Sequence, residues 1–423
     1  MAKQHSQPSL PMQLRLPHPW YTSYTIEVAA FDEGLRQFHI QPSPRRHGET
    51  LHAQLHKDDL LWTEPKFTTS ATEQQDQSPH FWTRPESIPV STLFWTQQRP
   101  SIGQTWLAAY GLLSLYPRLD SILITLRGAN AAEVGKELCR VGLLVADPSI
   151  TTQHRTQPTE YFLFRGSFWQ GAGSPFGSRP AWLASSPTTD SWEYPPLPLH
   201  PAPSTSLSAS APTPIRAPKP SPGTTLYSRF LAPLSQHLTL RALDPASATD
   251  LDAFLALTRH GTRAHHAARL AAAHADPAVL PVLACLGAAP PQAYFELYWV
   301  RERVCDHVGA HYDAGPFDRG VGVLLAEGAG RVGAAMWAAA VHYAFLDEPR
   351  TERVFGAPRF VDAMLVGYEE EFPFSVARRV GGEGGGEALA VCAREMFFQL
   401  CPLEGEGVEG RRAEEGGGVL AKL

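Results

Sequence analysis

Apolar and polar positions sort most clearly between Leu238 and Phe397. Apolar runs bounded by turn residues predict strands at Leu238–Leu243, Val279–Leu286, Ala293–Val300, Asp318–Ala326, Arg353–Phe360, Phe374–Val380 and Ala388–Phe397. Helical spacing predicts helices over Ala248–His260, His265–His274, Gly330–Phe345 and Val361–Glu371, with Ser247 or Thr249 as N-cap of the first. The Pro290-Pro291 turn separates two of the strands. The order is β-α-α-β-β-β-α-β-α-β-β, a mixed α/β sheet; the final run, Ala388–Phe397, also has the propensity of a helix. A similar rhythm closes the first half: helix at Ile102–Tyr116, strand at Ser121–Leu126, helix at Asn130–Val145, strand at Glu160–Arg165. Two domains of one kind in tandem, a divergent internal duplication, are therefore expected.

Between these halves the pattern fails. Residues 185–223 are dense in Pro and Ser and cannot bury enough apolar area to fold alone. The expected organisation is an N-terminal domain over 1–184, a linker over 185–223, a second domain over 224–403 and a Gly/Glu-rich tail over 404–423.

One unit carries candidate chemistry. An apolar strand with a single acid, Glu296, precedes a second strand, a Gly-rich turn and a long Ala-rich helix. A helix start following a strand and a Gly-rich turn presents unpaired backbone N–H groups to an anion, so Gly330, Arg331, Val332 and Gly333 are the expected cradle for a phosphorylated cofactor. A lone acid in an apolar strand needs a partner or a function.

Composition narrows the classes. At 423 residues with 43% hydrophobic content, two cored domains are the better expectation. A net charge of −6 gives no basic face for nucleic acid, and no apolar run approaches the ~20 residues of a membrane helix. The first residues have no signal-peptide core, and five cysteines without a CxxC pair argue for a reducing compartment. His260, His265, His266 and His274 match no compact metal spacing, so no metal site is expected. No lysine occurs between Lys219 and Lys422, and the chain ends Ala421-Lys422-Leu423, the pattern read by the peroxisomal import receptor.

Six segments carry a resemblance: GSFWQGAGSPFG (166–177), PKPSPGTTLYSRF (218–230), AYFELYW (293–299), HYDAGPFDRG (311–320), HYAFLDEPRTERVFGAPR (342–359) and REMFFQLCPL (394–403). They resemble the fungal siderophore-biosynthesis N-hydroxyornithine transacylases, and the element order is that of a GNAT acyltransferase domain. The resemblance implies two GNAT-like domains, the second binding acyl-CoA as co-substrate with no tightly bound cofactor. The hydroxylamine nitrogen of N-hydroxyornithine would attack the thioester and give a hydroxamate and free CoA. The oxyanion would meet a backbone N–H near Phe295–Trp299. His342, Asp318 and Glu296 are the candidate catalytic residues; Tyr298, Trp299 and Asp362 are the candidate substrate-binding ones. His342 can equally be a packing histidine, and Asp318 can cap its own turn.

The chain departs from the resembling pattern at four places. Gly322 stands where relatives carry a histidine, and Thr258 to Ala268 replaces an N-D-P-R-V segment. Asp362 stands where Asn follows G-E-P-R, and Gly381 to Glu387 replaces a Pro-His-Lys step. The alternatives to anhydromevalonyl transfer in the peroxisome are acetyl transfer in the cytosol and a catalytically impaired acyl-CoA-binding scaffold.

Overall fold

In a computed structural model the chain forms two compact units, one built chiefly on Trp20–Ala181 and the other on the residues from Trp182 onward. The structure describes residues 10–32, 34–44, 55–67, 88–146, 160–176, 181–184, 205–206, 213–214, 216, 218–258, 261–303, 314–326, 330–356, 374–380 and 387–403. No helix among them is long and apolar enough to cross a membrane.

The first unit contains β1 (Met12–Arg15), β2 (Ser23–Asp32), β3 (Leu35–Pro42), β4 (Leu61–Thr63), β5 (Lys66–Phe67), β6 (Pro89–Phe94), α1 (Ile102–Leu115), β7 (Ser121–Arg127), α2 (Ala131–Arg140), β8 (Val145–Ala146), β9 (Glu160–Phe164) and α3 (Arg165–Trp169). Its sheet runs β1-β2-β3-β4-β6-β7-β9-β8, with β6 and β7 parallel. The short strands β10 (Thr205–Ser206) and β11 (Thr213–Pro214) pair with each other. The second unit follows with β12 (Thr225–Leu231), β13 (Gln236–Ala242), α4 (Ala248–Leu257), α5 (Arg263–Ala275), β14 (Val279–Leu286), β15 (Ala293–Trp299), β16 (Arg319–Leu325), α6 (Gly330–Asp347), β17 (Arg353–Gly356), β18 (Phe374–Val380), β19 (Glu387–Ala393) and α7 (Arg394–Leu400). Its sheet runs β12-β13-β14-β15-β16-β17-β19-β18, with β16 and β17 parallel.

The two sheets repeat one device. In each, a parallel pair is joined by a helical crossover, and the last two strands enter the sheet in reversed order. A buried arginine fixes the equivalence residue by residue. Arg165 donates from its side chain to the carbonyls of Leu113, Tyr116 and Leu119, and from its backbone to Asp120. Arg394 donates to Phe345, Glu348 and Thr351, and from its backbone to Glu352, at the same spacing. Each arginine thus serves carbonyls at and just beyond the C-terminus of the crossover helix, where a cation also suits the helix dipole. Each is followed by an aromatic pair and a glutamine: Phe168, Trp169 and Gln170 in one unit, Phe397, Phe398 and Gln399 in the other.

Two expectations need amendment. The run Ala388–Phe397 is a strand only to Ala393; Arg394 turns it into a helix because its side chain must reach the end of α6. The C-terminal end of the region expected as linker, 185–223, is docked: Lys219 donates to the carbonyls of His274, Asp276 and Val279 at the end of α5. The helix expected at Val361–Glu371 lies outside the described residues.

Candidate active site

Strand β15 forms the centre of the second sheet. Residues 293–298 pair antiparallel with β14, and 293–299 pair with β16. Both edges of β15 are therefore used by the sheet, and its N–H groups cannot serve as the oxyanion donor expected near Phe295–Trp299. The next strand is β16, which pairs with β15 to Leu325 and, in parallel, with β17 from Arg319↔Val354 to Val321↔Gly356, the last described residue of β17. After β16, α6 begins at Gly330, and the N–H groups of its first turn have no intrahelical acceptor. A strand leading to a helix start is a place where phosphates can meet helix-terminal N–H groups.

Alternation places Tyr294, Glu296 and Tyr298 on one face of β15, with Phe295 and Trp299 on the other. Tyr294 meets Phe254 of α4, and Phe295 meets Trp337 of α6, so the two faces carry different helices. Glu296 has a built environment on the α4/α5 face. Arg269 lies 3.0 Å away, Arg303 3.3 Å away, and the Tyr294 hydroxyl donates to it at 2.9 Å. Burial pushes the Glu296 carboxyl up, but Arg269, the Tyr294 hydroxyl and Arg303 outweigh it and hold the group below the usual carboxylate range.

Directly opposite Glu296 in register is Gly322. A Cβ at Gly322 would meet the Glu296 Cβ at 3.7 Å, an ordinary contact, so this glycine leaves room on the face that Glu296 occupies. Gly320 differs. It is paired with Tyr298, and a Cβ there would stand 2.2 Å from the Tyr298 ring. Gly320→Ala is therefore expected to cost about 2–3 kcal/mol through displacement of a buried ring. Gly322→Ala should cost less than about 0.5 kcal/mol. Urea midpoints of the two variants check the contrast.

His342 and Asp318 are placed as structural residues, not at this face. His342 is wholly buried, and its Nδ1 lies 2.9 Å from the Tyr227 hydroxyl. Burial pushes the Tyr227 phenol up to about 12, so it remains a neutral hydrogen-bonding group. The His342 ring stacks on Phe397 at 5.8 Å and 27° and meets Phe398 edge-on. Tyr110 of the first unit stacks on Phe168 at 5.9 Å and 23° and meets Trp169 edge-on. A tyrosine and a histidine filling equivalent core positions mark a packing role. Asp318 accepts from the Gly315 N–H at 2.7 Å and pairs with Arg353 at 2.7 Å. It ties the turn before β16 to the start of β17.

The candidate substrate residues divide similarly. The Tyr298 ring is buried over Gly320, with Arg303 5.1 Å from its centroid. Trp299 lies beneath Arg216 at 3.7 Å and Arg319 at 4.0 Å. Both rings are engaged by the protein itself. Asp362 lies outside the described residues. Sequence reasoning offers Arg269 only as a solvated residue or a CoA-phosphate contact and does not single out Arg303 or Tyr294; nothing in the sequence signals that the three converge on Glu296.

These elements define an acyltransferase of the GNAT class, and comparison agrees: the acetyltransferase (GNAT) domain family matches residues 253–381. SAT14 of Stachybotrys chartarum, described as a putative O-acetyltransferase, is 32% identical over 92% of each chain. The N(5)-hydroxyornithine:cis-anhydromevalonyl coenzyme A-N(5)-transacylase SIDF of Beauveria bassiana is 32% identical, again over 92% of each. The hydroxyornithine transacylase SID3 of Ajellomyces capsulatus is 30% identical over 95% of this chain and 96% of its own. The chain belongs to this family of fungal hydroxyornithine transacylases, and acyl-CoA is its co-substrate.

Proposed function

We propose that the second unit transfers an acyl group, of the anhydromevalonyl type, from CoA to the hydroxylamine nitrogen of N-hydroxyornithine, in the formation of a hydroxamate siderophore for iron acquisition. The observation that carries this reading is Glu296, held ionised opposite Gly322 of β16. The nitrogen lone pair attacks the thioester carbon, and a β16 N–H steadies the oxyanion. The C–S bond then breaks, and the thiolate takes the proton that leaves nitrogen. Glu296 accepts a hydrogen bond from that nitrogen and orients it.

A carboxylate of low pKa is a weak base, and this favours N-acylation over O-acylation. A hydroxylamine nitrogen is largely neutral near pH 7 and needs little deprotonation before attack, whereas an alcohol needs a general base, best with a pKa near the working pH. Incubation with acyl-CoA and N-hydroxyornithine should release free thiol and form a product that colours ferric iron. CoA binding by folded protein without turnover over several acyl-CoAs would instead favour the scaffold reading, motivated by Gly322.

The tail Ala421-Lys422-Leu423 supports a peroxisomal address, its receptor being the import receptor. A fluorescent fusion with the native C-terminus exposed should form puncta that disperse when these three residues are deleted. A diffuse intact fusion would remove the compartment reading and weaken the preference for the larger acyl group over acetyl.

A further inference from the structure

The first unit is filled where an acyl-CoA would enter, a point that rests on reading the second unit as the acyl-CoA-binding one. That place lies at the C-terminal ends of the parallel strands. In the first unit they stay zipped to the end of β6, from Val90↔Leu123 to Phe94↔Arg127. The Trp95 N–H extends the pairing by donating to the Arg127 carbonyl at 3.1 Å.

Beyond the zipped strands the path is filled. Trp95 is 3% exposed, and its indole lies so close to Gly128 that a Cβ there would stand 2.4 Å from the ring. Its Nε1 donates to the Ala129 carbonyl at 3.1 Å, which fixes the ring over the C-terminal end of β7.

The phosphate cradle is filled as well. One Asp59 oxygen accepts from the N–H groups of Thr96 at 2.9 Å and Gln97 at 2.7 Å, and from the Thr96 hydroxyl at 3.2 Å. The start of α1 is closed by a reciprocal pair: Ser101 Oγ accepts from the Gln104 N–H, and Gln104 Oε1 accepts from the Ser101 N–H. Burial pushes the Asp59 carboxyl up, but Lys57 and the Gln97 and Thr96 N–H groups outweigh it and hold it well below the usual range. A phosphate arriving here would meet an ionised carboxylate already on the donors it needs. On the acceptor side, β2 returns directly to β3 between Asp32 and Leu35, where the second unit inserts α4 and α5 between β13 and β14. The first unit thus has no counterpart of the helix that brings Arg269 to Glu296.

We infer that the first unit is a closed copy and that the chain binds one acyl-CoA, in the second unit. Trp95 takes the place of the thioester arm and Asp59 the place of the phosphates. The test is titration calorimetry of the full chain with CoA, followed by hydrogen exchange of the saturated protein. One CoA per chain is expected, with new amide protection within 321–336 and none within 95–104. Two CoA per chain, or protection at 95–104, would overturn the inference while leaving the acyltransferase reading intact. No binding of CoA at all would overturn both.

Discussion

Glu296→Gln is expected to lower the rate of hydroxamate formation about a hundredfold, the scale on which a misplaced reactant costs rate. CoA affinity should be unchanged, because the proposed coenzyme path follows β16 and the start of α6 while Glu296 projects from β15 toward α5. The loss should therefore appear in kcat, with the KM for acyl-CoA unaltered. The pH dependence of stability supplies an independent reading. Two arginines hold the Glu296 carboxyl below its usual range, so its folded pKa lies below the unfolded one. Its contribution is fully present above the unfolded value, near ~4.3, and is lost as pH falls through the folded value. The stability difference between wild type and Glu296→Gln should hold steady from neutrality to about pH 5 and close only below the ordinary glutamate range. A difference that already closes at pH 6 would mean that the arginines do not hold the charge.

Arg394→Ala is expected to be the most destabilising single change in the second unit. Its guanidinium serves the carbonyls of Phe345, Glu348 and Thr351 at the end of α6 and lies over the Phe345 ring. Removing it takes that donor from the Phe345 and Thr351 carbonyls, each costing about 1–3 kcal/mol, while the Glu348 carbonyl keeps the Thr351 N–H, so a total loss of about 3 kcal/mol is expected. Arg165→Ala should have a similar effect in the first unit, because the same three-carbonyl arrangement closes α1. Denaturant unfolding followed by a probe in each unit would show whether each variant lowers the midpoint of its own unit. Equal shifts in both probes from either variant would show that the units unfold as one.

Much of the second unit was legible because its elements are long and separated by strong punctuation. Ala293–Trp299 and Val279–Leu286 are continuous apolar runs around Pro290-Pro291, and Gly330 opens an Ala-rich helix. Strand β12 escaped notice because it follows Pro-rich sequence that reads as linker. Among the early strands, β1, β4 and β5 are short, and polar residues break the apolar pattern of β2 and β3. The end of β19 was missed for a tertiary reason: nothing local marks Arg394 as the cap of a helix that ended 47 residues earlier in sequence. The duplication had a readable signal in the two arginines followed by an aromatic pair and a glutamine. It becomes convincing only when the hydrogen bonds show both arginines at equivalent carbonyls.

The site was legible in part. Glu296 stands out in sequence because an acid in an apolar strand is costly unless served, and the structure supplies the service. His342 misled because its partner Tyr227 lies on the first strand of the unit, far away in sequence. Asp318 misled because a turn aspartate and a binding aspartate look alike until Arg353 is seen beside it. The oxyanion donor expected on β15 fails because both edges of that strand are paired, and sequence shows a strand but not which of its edges is used.

The central claim is acyl transfer from CoA to a hydroxylamine nitrogen at a site that lacks a strong base. Its most direct test is a competition in kcat/KM among N-hydroxyornithine, ornithine and the matching δ-hydroxy amino acid, with acyl-CoA saturating and products weighed by mass spectrometry. The account predicts that N-hydroxyornithine dominates and that the acyl group is found on nitrogen as an iron-binding hydroxamate. Equal or faster acylation of the alcohol, giving an ester, would contradict it.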